Sequence, residues 1–288
     1  MDVAVVGAGR VGTALAVLLS KAGHRMVGVS GGEGTRKRAE TYLPGVPFLP
    51  AHRAASEAEV VVIGVPDDAI AAVCDDLASA GALHDGQGVC HLSGAAPLLA
   101  LGPARAAAAR VFSMHPVQTF PDVDAGIERL PGSHVAVTAW EEEGFRMGES
   151  LARDAGGRPL RVNEEHKALY HAAAVFSSNW LVTVEAIAER LFREAGIEDP
   201  IAVMDPLIRG TVDNIVGLGP AAALTGPVVR GDAGTVRRNL EALASHAPDA
   251  VDAYVSLARA SLDLAERAGR LIPGSRDRVE EVLDEWRS

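Results

Sequence analysis

The first half of the chain alternates short, almost continuously apolar runs with segments of helical period. The apolar runs predict seven strands, at residues 3–6, 25–29, 60–65, 88–92, 111–114, 134–138 and 159–162. Helical patterns lie between several of them, at residues 11–22, 35–42, 68–80 and 141–154. Strands that are separated by helices in this way are typical of a mostly parallel, doubly wound sheet with helices on both faces.

The pattern changes near Asn163, after which no strand is predicted. Helical patterns cover residues 164–195, 201–216, 235–245, 248–268 and 276–286, with Gly and Pro residues between them. The first of these is apolar on much of its circumference, so we predict that it is the buried central helix of a second domain. The expected organisation is an α/β domain at 1–162 and an all-α domain at 163–288.

A glycine-rich turn follows the first strand and opens the first helix. Gly7, Gly9 and Gly12 have the spacing G-x-G-x-x-G, which suits a tight turn, the approach of a pyrophosphate to the backbone, and close helix–strand packing. The N-terminus of the following helix offers free N–H groups to phosphates. The sequence therefore predicts a Rossmann βαβ unit that binds a nicotinamide dinucleotide. The predicted cofactor-binding residues of this turn and of the loop after the third strand are Gly7, Ala8, Gly9, Arg10, Val11, Gly12, Val65 and Pro66.

The end of the second strand distinguishes NADP from NAD. An Asp or Glu there would accept hydrogen bonds from a free ribose 2′-hydroxyl, but this chain has Ser30, followed by the cations Arg36 and Arg38. A hydroxyl and nearby arginines suit a 2′-phosphate better, so we predict NADP. The nearby Glu33 argues the other way, and a solvated basic helix start is the alternative interpretation.

Charge and cysteine content narrow the function further. The chain has 27 Lys and Arg against 38 Asp and Glu, a net charge of −11, which argues against a nucleic-acid partner. Cys74 and Cys90 have neither a metal-ligand spacing nor a disulfide framework, so we expect no metal site and a reducing, cytoplasmic location. No signal peptide and no membrane span are expected, because no apolar run reaches about 18 residues.

Two further strand ends carry polar residues. Ser93 follows His91, and His115 precedes Pro116. Ligands of open α/β sheets bind beyond the carboxyl ends of the strands, so we predict that Ser93 and His115 contact the substrate. The alternative for either histidine is a hydrogen bond to nearby backbone. Asp67, after the third strand, is interpreted as a helix cap.

The first helix of the second domain holds the candidate catalytic residues. On a helical wheel His171 and Ser178 fall within roughly 40° of Lys167, and Asn179 lies at the edge of that face. A solvated stripe is the alternative. Reduction of a carbonyl needs a proton donor, for which a Lys ammonium is suited, and a cation such as Arg230 could hold a substrate carboxylate. Asp232 is interpreted equally as a helix cap or as a catalytic group.

Taken together, these motifs resemble a bacterial family of Rossmann-like NADP oxidoreductases with a helical C-terminal domain of long-uncharacterised function. The resemblance rests on the glycine turn and on four further motifs: residues 91–94, 113–116 with Phe120, Lys167-x-x-Tyr170-His171 with Ser178-Asn179, and residues 225–232. The wider relatives are the 6-phosphogluconate, 3-hydroxyacid, pyrroline-5-carboxylate and ketopantoate dehydrogenases and reductases. In the hydroxyacid enzymes the catalytic Lys is followed four residues later by Asn, a position that His171 occupies here.

The resemblance implies a homodimer and the reduction of a small 2-oxo acid such as ketopantoate. In this interpretation Lys167 supplies the proton, Ser178 and Asn179 orient the substrate, and Arg230 binds its carboxylate; His171 remains open as the proton donor. The alternatives are an imine reductase of the pyrroline-5-carboxylate type, a prephenate-like dehydrogenase suggested by His115-Pro116, and a non-catalytic NADP sensor.

Overall fold

A computed structural model of the chain describes residues 1–286, which form two compact units, Met1–Asn179 and a second from Trp180. The first unit is built on one seven-stranded sheet. Its strands are β1 (Asp2–Val6), β2 (Arg25–Ser30), β3 (Val60–Ile63), β4 (Gly88–His91), β5 (Arg110–Pro116), β6 (His134–Ala139) and β7 (Arg158–Arg161). Its helices are α1 (Arg10–Lys21), α2 (Glu33–Tyr42), α3 (Ala51–Ser56), α4 (Ile70–Ser79), α5 (Gly102–Ala106), α6 (Val123–Arg129), α7 (Glu142–Asp154) and α8 (Lys167–Ser177).

The strand order β2-β1-β3-β4-β5-β6-β7 brings several loops to one edge of the sheet. Strands β1 to β5 are parallel, β6 is antiparallel to β5, and β7 is parallel to β6. The chain leaves β1 towards β2 on one side and returns to β3 on the other, so β1 and β3 form the switch point where such sheets bind ligands. The predicted doubly wound, mostly parallel α/β domain is confirmed.

Hydrophobic cores lie on both faces of this sheet. Val3, Val5 and Phe112 belong to one core, and Ala4, Val61 and Ile63 to the other. Alternate residues of the same strands point to opposite faces and both faces are covered, which explains why the strands are continuous apolar runs in the sequence.

The second unit is entirely helical in the part of the chain that the structure describes. Its helices are α9 (Asn179–Glu194), α10 (Pro200–Leu218), α11 (Pro220–Ala223), α12 (Pro227–Arg230), α13 (Ala233–His246), α14 (Val251–Arg267) and α15 (Ser275–Asp284). Its core contains Val236 and Leu240 of α13, Leu262 of α14 and Val279 of α15. Within residues 1–286, no helix has the length and apolar character needed to cross a membrane.

The predicted single helix at 164–195 is wrong in two respects. A 3₁₀ turn at Glu164–His166 leads into α8, and α8 ends at Ser178, whose backbone is non-helical (φ −130°, ψ −67°), before α9 begins. Apart from the buried Lys167, the segment is also mostly exposed: Phe176 is 72% exposed and none of the residues of α9 is buried. Ile187 and Leu191 pack, partly buried, against the core around Leu243, whereas much of the other apolar surface of α9 is exposed. Because α8 belongs to the first compact unit, the units divide after Asn179 rather than at 162.

Candidate active site

At Gly7 and Gly9, the glycine loop after β1 has the geometry that its spacing predicts. Gly7 has φ +81°, a conformation that L-residues other than glycine rarely adopt, and a Cβ there would overlap the Val65 side chain. The Gly7 N–H donates to the Ser30 carbonyl at the end of β2 (2.7 Å). A Cβ at Gly9 would meet only the Gly64 carbonyl, at 3.7 Å, so a ligand can approach the backbone there. At Gly12 a Cβ would make ordinary contact with Val5, 3.5 Å away.

A cavity of about 340 Å³ opens beside this loop at the switch point. It is lined by residues 9–12 of the loop, by Gly64, Val65 and Asp67 after β3, by Leu92 and Ser93 after β4, and by Phe120. The first-turn N–H groups of α1 have no acceptor within the helix, so this end of α1 can bind an anion. Most of the predicted cofactor-binding turn, together with Val65, therefore faces one space.

The two predicted arginines differ in their contacts. Arg38 donates from Nε to the Ala8 carbonyl (3.0 Å) and so connects α2 to the glycine loop. The Arg36 guanidinium lies 4.1 Å from the centre of the Phe48 ring and 3.9 Å from the Glu33 carboxylate. Arg36 therefore offsets the negative charge of Glu33 that argued for NAD, whereas Arg38 supports the loop itself.

Lys167 begins α8 and is the most buried charged side chain of the candidate site, with 3% of its surface exposed. Its Nζ donates to the Ser113 hydroxyl in β5 (2.7 Å) and to the Ser93 carbonyl after β4 (2.9 Å). Burial lowers the pKa of Lys167 from 10.5 to about 8, against the opposing attraction of Glu164 and Asp67. The ammonium group therefore lies between the ends of β4 and β5 and contacts Ser93, which lines the cavity.

Ser93 accepts a hydrogen bond from Lys167 and also lines the cavity. Its hydroxyl donates to the Asp67 carboxylate (2.5 Å) and accepts from the N–H groups of Ala95 and Ala96. Asp67 itself lies in a 3₁₀ turn and caps no helix, because its side chain is engaged by Ser93 instead. The interpretation of Asp67 as a cap was therefore wrong.

The two strand-end histidines have different environments. His91 is fully buried, its Nδ1 accepts from the Ser93 N–H (3.2 Å), and burial lowers its pKa to about 3. His91 therefore bonds to nearby backbone, as the alternative interpretation stated. His115 instead pairs through Nδ1 with the Tyr170 hydroxyl of α8 (2.7 Å), and its ring centre lies 6.0 Å from that of His171.

Burial, His171 and Lys167 lower the pKa of His115 to about 4, so its ring is neutral at pH 7. Burial raises the pKa of Tyr170 to about 12, so its hydroxyl keeps its proton. Gly94 packs against the ring: a Cβ there would lie 2.9 Å from atoms of His115 and 2.8 Å from His171. The position of the His115 imidazole is therefore set by β5, by the packing of Gly94 and by the hydrogen bond to Tyr170 of α8.

Of the remaining predicted residues, Ser178 and Asn179 follow the end of α8, and Arg230 and Asp232 belong to the second unit. Ser178 and Asn179 are 11 and 12 residues after Lys167, about 16–18 Å along the helix axis at 1.5 Å per residue, which exceeds the length of a small 2-oxo acid. Arg230 is exposed at the end of α12 in the second unit, and its role stays a prediction. Asp232 accepts from the Thr235 N–H (3.0 Å) and hydroxyl (2.7 Å), which confirms that it caps α13.

Sequence reasoning assigns no role to Ser113 or Tyr170, and it gives Asp67 only the role of a helix cap. The strand-end rule could have found Ser113, since it stands two residues before His115 in β5. No sequence signal pairs Tyr170 with His115, 55 residues earlier, or Asp67 with Ser93, 26 residues later.

Comparison with known proteins gives two family matches. Residues 1–116 match a Rossmann-like domain, and residues 133–261 match a domain of unknown function, DUF2520. No curated protein matches the sequence.

Solved structures of similar fold cover almost the whole chain. A Thermotoga maritima protein is 25% identical with TM-score 0.70, over 93% of this chain and 100% of its own. A Bacteroides fragilis protein assigned as an NADP oxidoreductase is 23% identical with TM-score 0.74, over 91% and 98%. An imine reductase from Myxococcus stipitatus, in complex with NADP⁺, is 18% identical with TM-score 0.66, over 94% and 96%.

Proposed function

We propose that this chain, which belongs to the proteins that join a Rossmann-like domain to a DUF2520 domain, is an NADPH-dependent reductase of a small 2-oxo acid. The observation that carries the proposal is the buried Lys167 ammonium, held by Ser113 and Ser93 next to the cavity of the glycine loop. Burying a cation without a full counter-ion is costly, and this cost is typical of a site that needs the charge for chemistry.

The loop fits a dinucleotide pyrophosphate. Gly9 leaves its backbone accessible, and residues 9–12, where α1 begins, line the cavity in which an anion would lie. Ser30 and Arg36 suit the 2′-phosphate of NADP. The similar proteins from B. fragilis and M. stipitatus, one assigned as an NADP oxidoreductase and the other in complex with NADP⁺, support the same choice.

Bound NADPH would supply the hydride, and the protein must then handle the negative charge that develops on the substrate oxygen. With a pKa of about 8, Lys167 is mostly protonated at pH 7 and is a stronger acid than an exposed lysine, as a general acid near neutral pH should be. We therefore assign the proton to Lys167 rather than to His171. Arg230 remains our candidate for binding the substrate carboxylate. Ser178 and Asn179 lie too far from Lys167 along the helix, and we propose no catalytic role for them.

A screen of NADPH oxidation tests this function. The purified protein is mixed with small 2-oxo acids, ketopantoate first, and with cyclic imines, pyrroline-5-carboxylate first; prephenate is tested with NADP⁺. We expect turnover of at least one 2-oxo acid and a loss of at least about 100-fold in Lys167→Met. Tight NADPH binding without turnover of any compound would instead indicate a sensor and would overturn the proposal.

Imine reduction is the second candidate. The observation in its favour is that two of the three N–H donors of Lys167 are already engaged by Ser93 and Ser113. An imine that arrives protonated needs no further proton, and the M. stipitatus neighbour is named as an imine reductase. Turnover of imines that survives Lys167→Met, with no turnover of oxo acids, would favour this candidate.

We further propose that the protein is a homodimer through α9 and α10. These helices expose many large apolar side chains, among them Val182 (69%), Leu207 (63%) and Val216 (80%). Monomers rarely expose large apolar surfaces, and a second copy that packs on α9 and α10 would bury these side chains. Light scattering should give twice the mass of the 29.9 kDa chain, and Leu207→Asp should shift the protein towards monomer. A wild-type monomer at micromolar concentration would contradict this proposal.

A further inference from the structure

We propose that His115, held by Tyr170 in the tautomer with its proton on Nε2, donates a hydrogen bond to the carbonyl oxygen of the substrate, with Tyr170 as its positioning residue. The role of His115 towards substrate rests on the proposed function, whereas its tautomer does not. His115 keeps its proton throughout, and Lys167 remains the group that supplies one.

The Tyr170–His115 hydrogen bond sets the tautomer. A phenol is a better donor than a neutral imidazole N–H, and an imidazole nitrogen is a better acceptor than a phenol oxygen. At 2.7 Å the Tyr170 hydroxyl therefore donates to Nδ1, and Nδ1 carries no proton. In a neutral ring the proton then lies on Nε2.

The ring is kept neutral by its neighbours. Tyr170 and His171 face it from α8, Lys167 from the start of the same helix, and Asp67 from the turn after β3. Burial and the nearby His171 and Lys167 disfavour a charged imidazole more strongly than Asp67 favours it. A positively charged His115 ring would repel the Lys167 ammonium, whereas a neutral ring does not.

The Nε2–H group is available to a ligand. Among residues 1–286 it has no hydrogen-bond partner, yet it is not sealed inside the protein, in contrast to Nε2 of His91. His115 and Lys167 approach the same strand ends: His115 packs on Gly94, and Lys167 bonds to the carbonyl of the preceding Ser93. A carbonyl oxygen that reaches Lys167 therefore also comes within the region of His115.

The tautomer is tested by ¹⁵N NMR of the full chain labelled at histidine. In the wild-type protein at pH 7 we expect the His115 signals of a neutral ring with the proton on Nε2. In Tyr170→Phe we expect the Nδ1–H tautomer to become populated. Tyr42→Phe is the matched control, because it removes a hydroxyl that bonds to Asp124 on the surface (3.0 Å) and should leave His115 unchanged. A charged ring, an Nδ1–H tautomer in the wild type, or no change in Tyr170→Phe would overturn the proposal.

The donor role is tested by kinetics with the 2-oxo acid found in the screen. His115→Phe keeps a ring but has no donor, and should lower kcat about 100-fold with little change in KM for NADPH. His115→Gln keeps an N–H donor and should retain more activity. Equal activity of wild type and His115→Phe would overturn the donor role. Absence of turnover with every 2-oxo acid would overturn the proposed function and the donor role with it, while the tautomer is decided independently by NMR.

Discussion

Replacement of Lys167 by Met removes a buried ammonium group and nearly preserves the volume of the side chain. Burial lowers the pKa of Lys167 from 10.5 to about 8, so keeping the charge at pH 7 costs the folded state about 3 kcal/mol at 1.36 kcal/mol per pH unit. Against this, the Ser93 carbonyl loses a donor, which costs about 1–3 kcal/mol. We therefore expect Lys167→Met to lose activity while its free energy of unfolding is unchanged or higher by up to about 2 kcal/mol.

The pH dependence of the free energy of unfolding tests independently whether the buried charge of Lys167 destabilises the folded state. Between pH 8 and 10.5 the folded lysine has lost a proton that the unfolded chain still holds, so unfolding takes up a proton and stability rises with pH. The wild type should gain about 3 kcal/mol relative to Lys167→Met across this window. Cys90 and Tyr170, whose pKa values burial raises, act in the opposite direction, but they are common to both proteins and cancel in the difference.

The assay can report on the first unit alone. The chain has two cysteines, Cys74 and Cys90, and both are buried there, so their rate of labelling by a thiol reagent measures the opening of this unit. Lys21→Met, at an exposed position of α1, is the control and should follow the wild type at every pH. A stability difference between wild type and Lys167→Met that stays constant from pH 7 to 10.5 would refute the reasoning.

Three further outcomes follow from single contacts. Arg38→Ala should raise KM for NADPH and for NADH alike, because it removes the support of the Ala8 carbonyl; an effect on NADPH alone would show that Arg38 reads only the 2′-phosphate. Gly94→Ala should lower kcat at least tenfold with NADPH binding preserved, since its Cβ would displace the His115 ring; unchanged kcat would contradict that contact. Asp232→Ala should lower the free energy of unfolding of the second unit by about 1 kcal/mol through loss of a helix cap, as measured by urea denaturation, and no loss would argue against the cap.

Much of the fold could be predicted from the sequence because its strands are buried on both faces. Continuous apolar runs such as Val60–Ile63 are typical of strands that helices cover on both sides, and the glycine turn marks the first crossover. The break at Ser178 could not be predicted, since neither Gly nor Pro marks it and the apolar pattern continues through it. The exposure of α9 was missed for a related reason: periodicity shows that a face is apolar but not what covers it.

For the candidate site, the sequence indicated which loops meet but not which atoms pair. The strand-end rule brought Ser93 and His115 to one edge of the sheet. The hydrogen bonds that decide their chemistry, from Ser93 to Asp67 and between His115 and Tyr170, join residues far apart in the chain and depend on the packing of α8. On the helical wheel Ser178 and Lys167 point in similar directions, but the rise along the helix axis keeps them far apart.

The boundary after Asn179 has a consequence for how such enzymes could diversify. Lys167, His115 and the glycine loop all belong to the first compact unit, whereas Arg230 belongs to the second. Recombination at this boundary would therefore carry the proposed proton donor together with the proposed cofactor site and exchange only the helical part. A chimaera with a different helical unit would be expected to inherit its reaction chemistry from one parent and its substrate preference from the other.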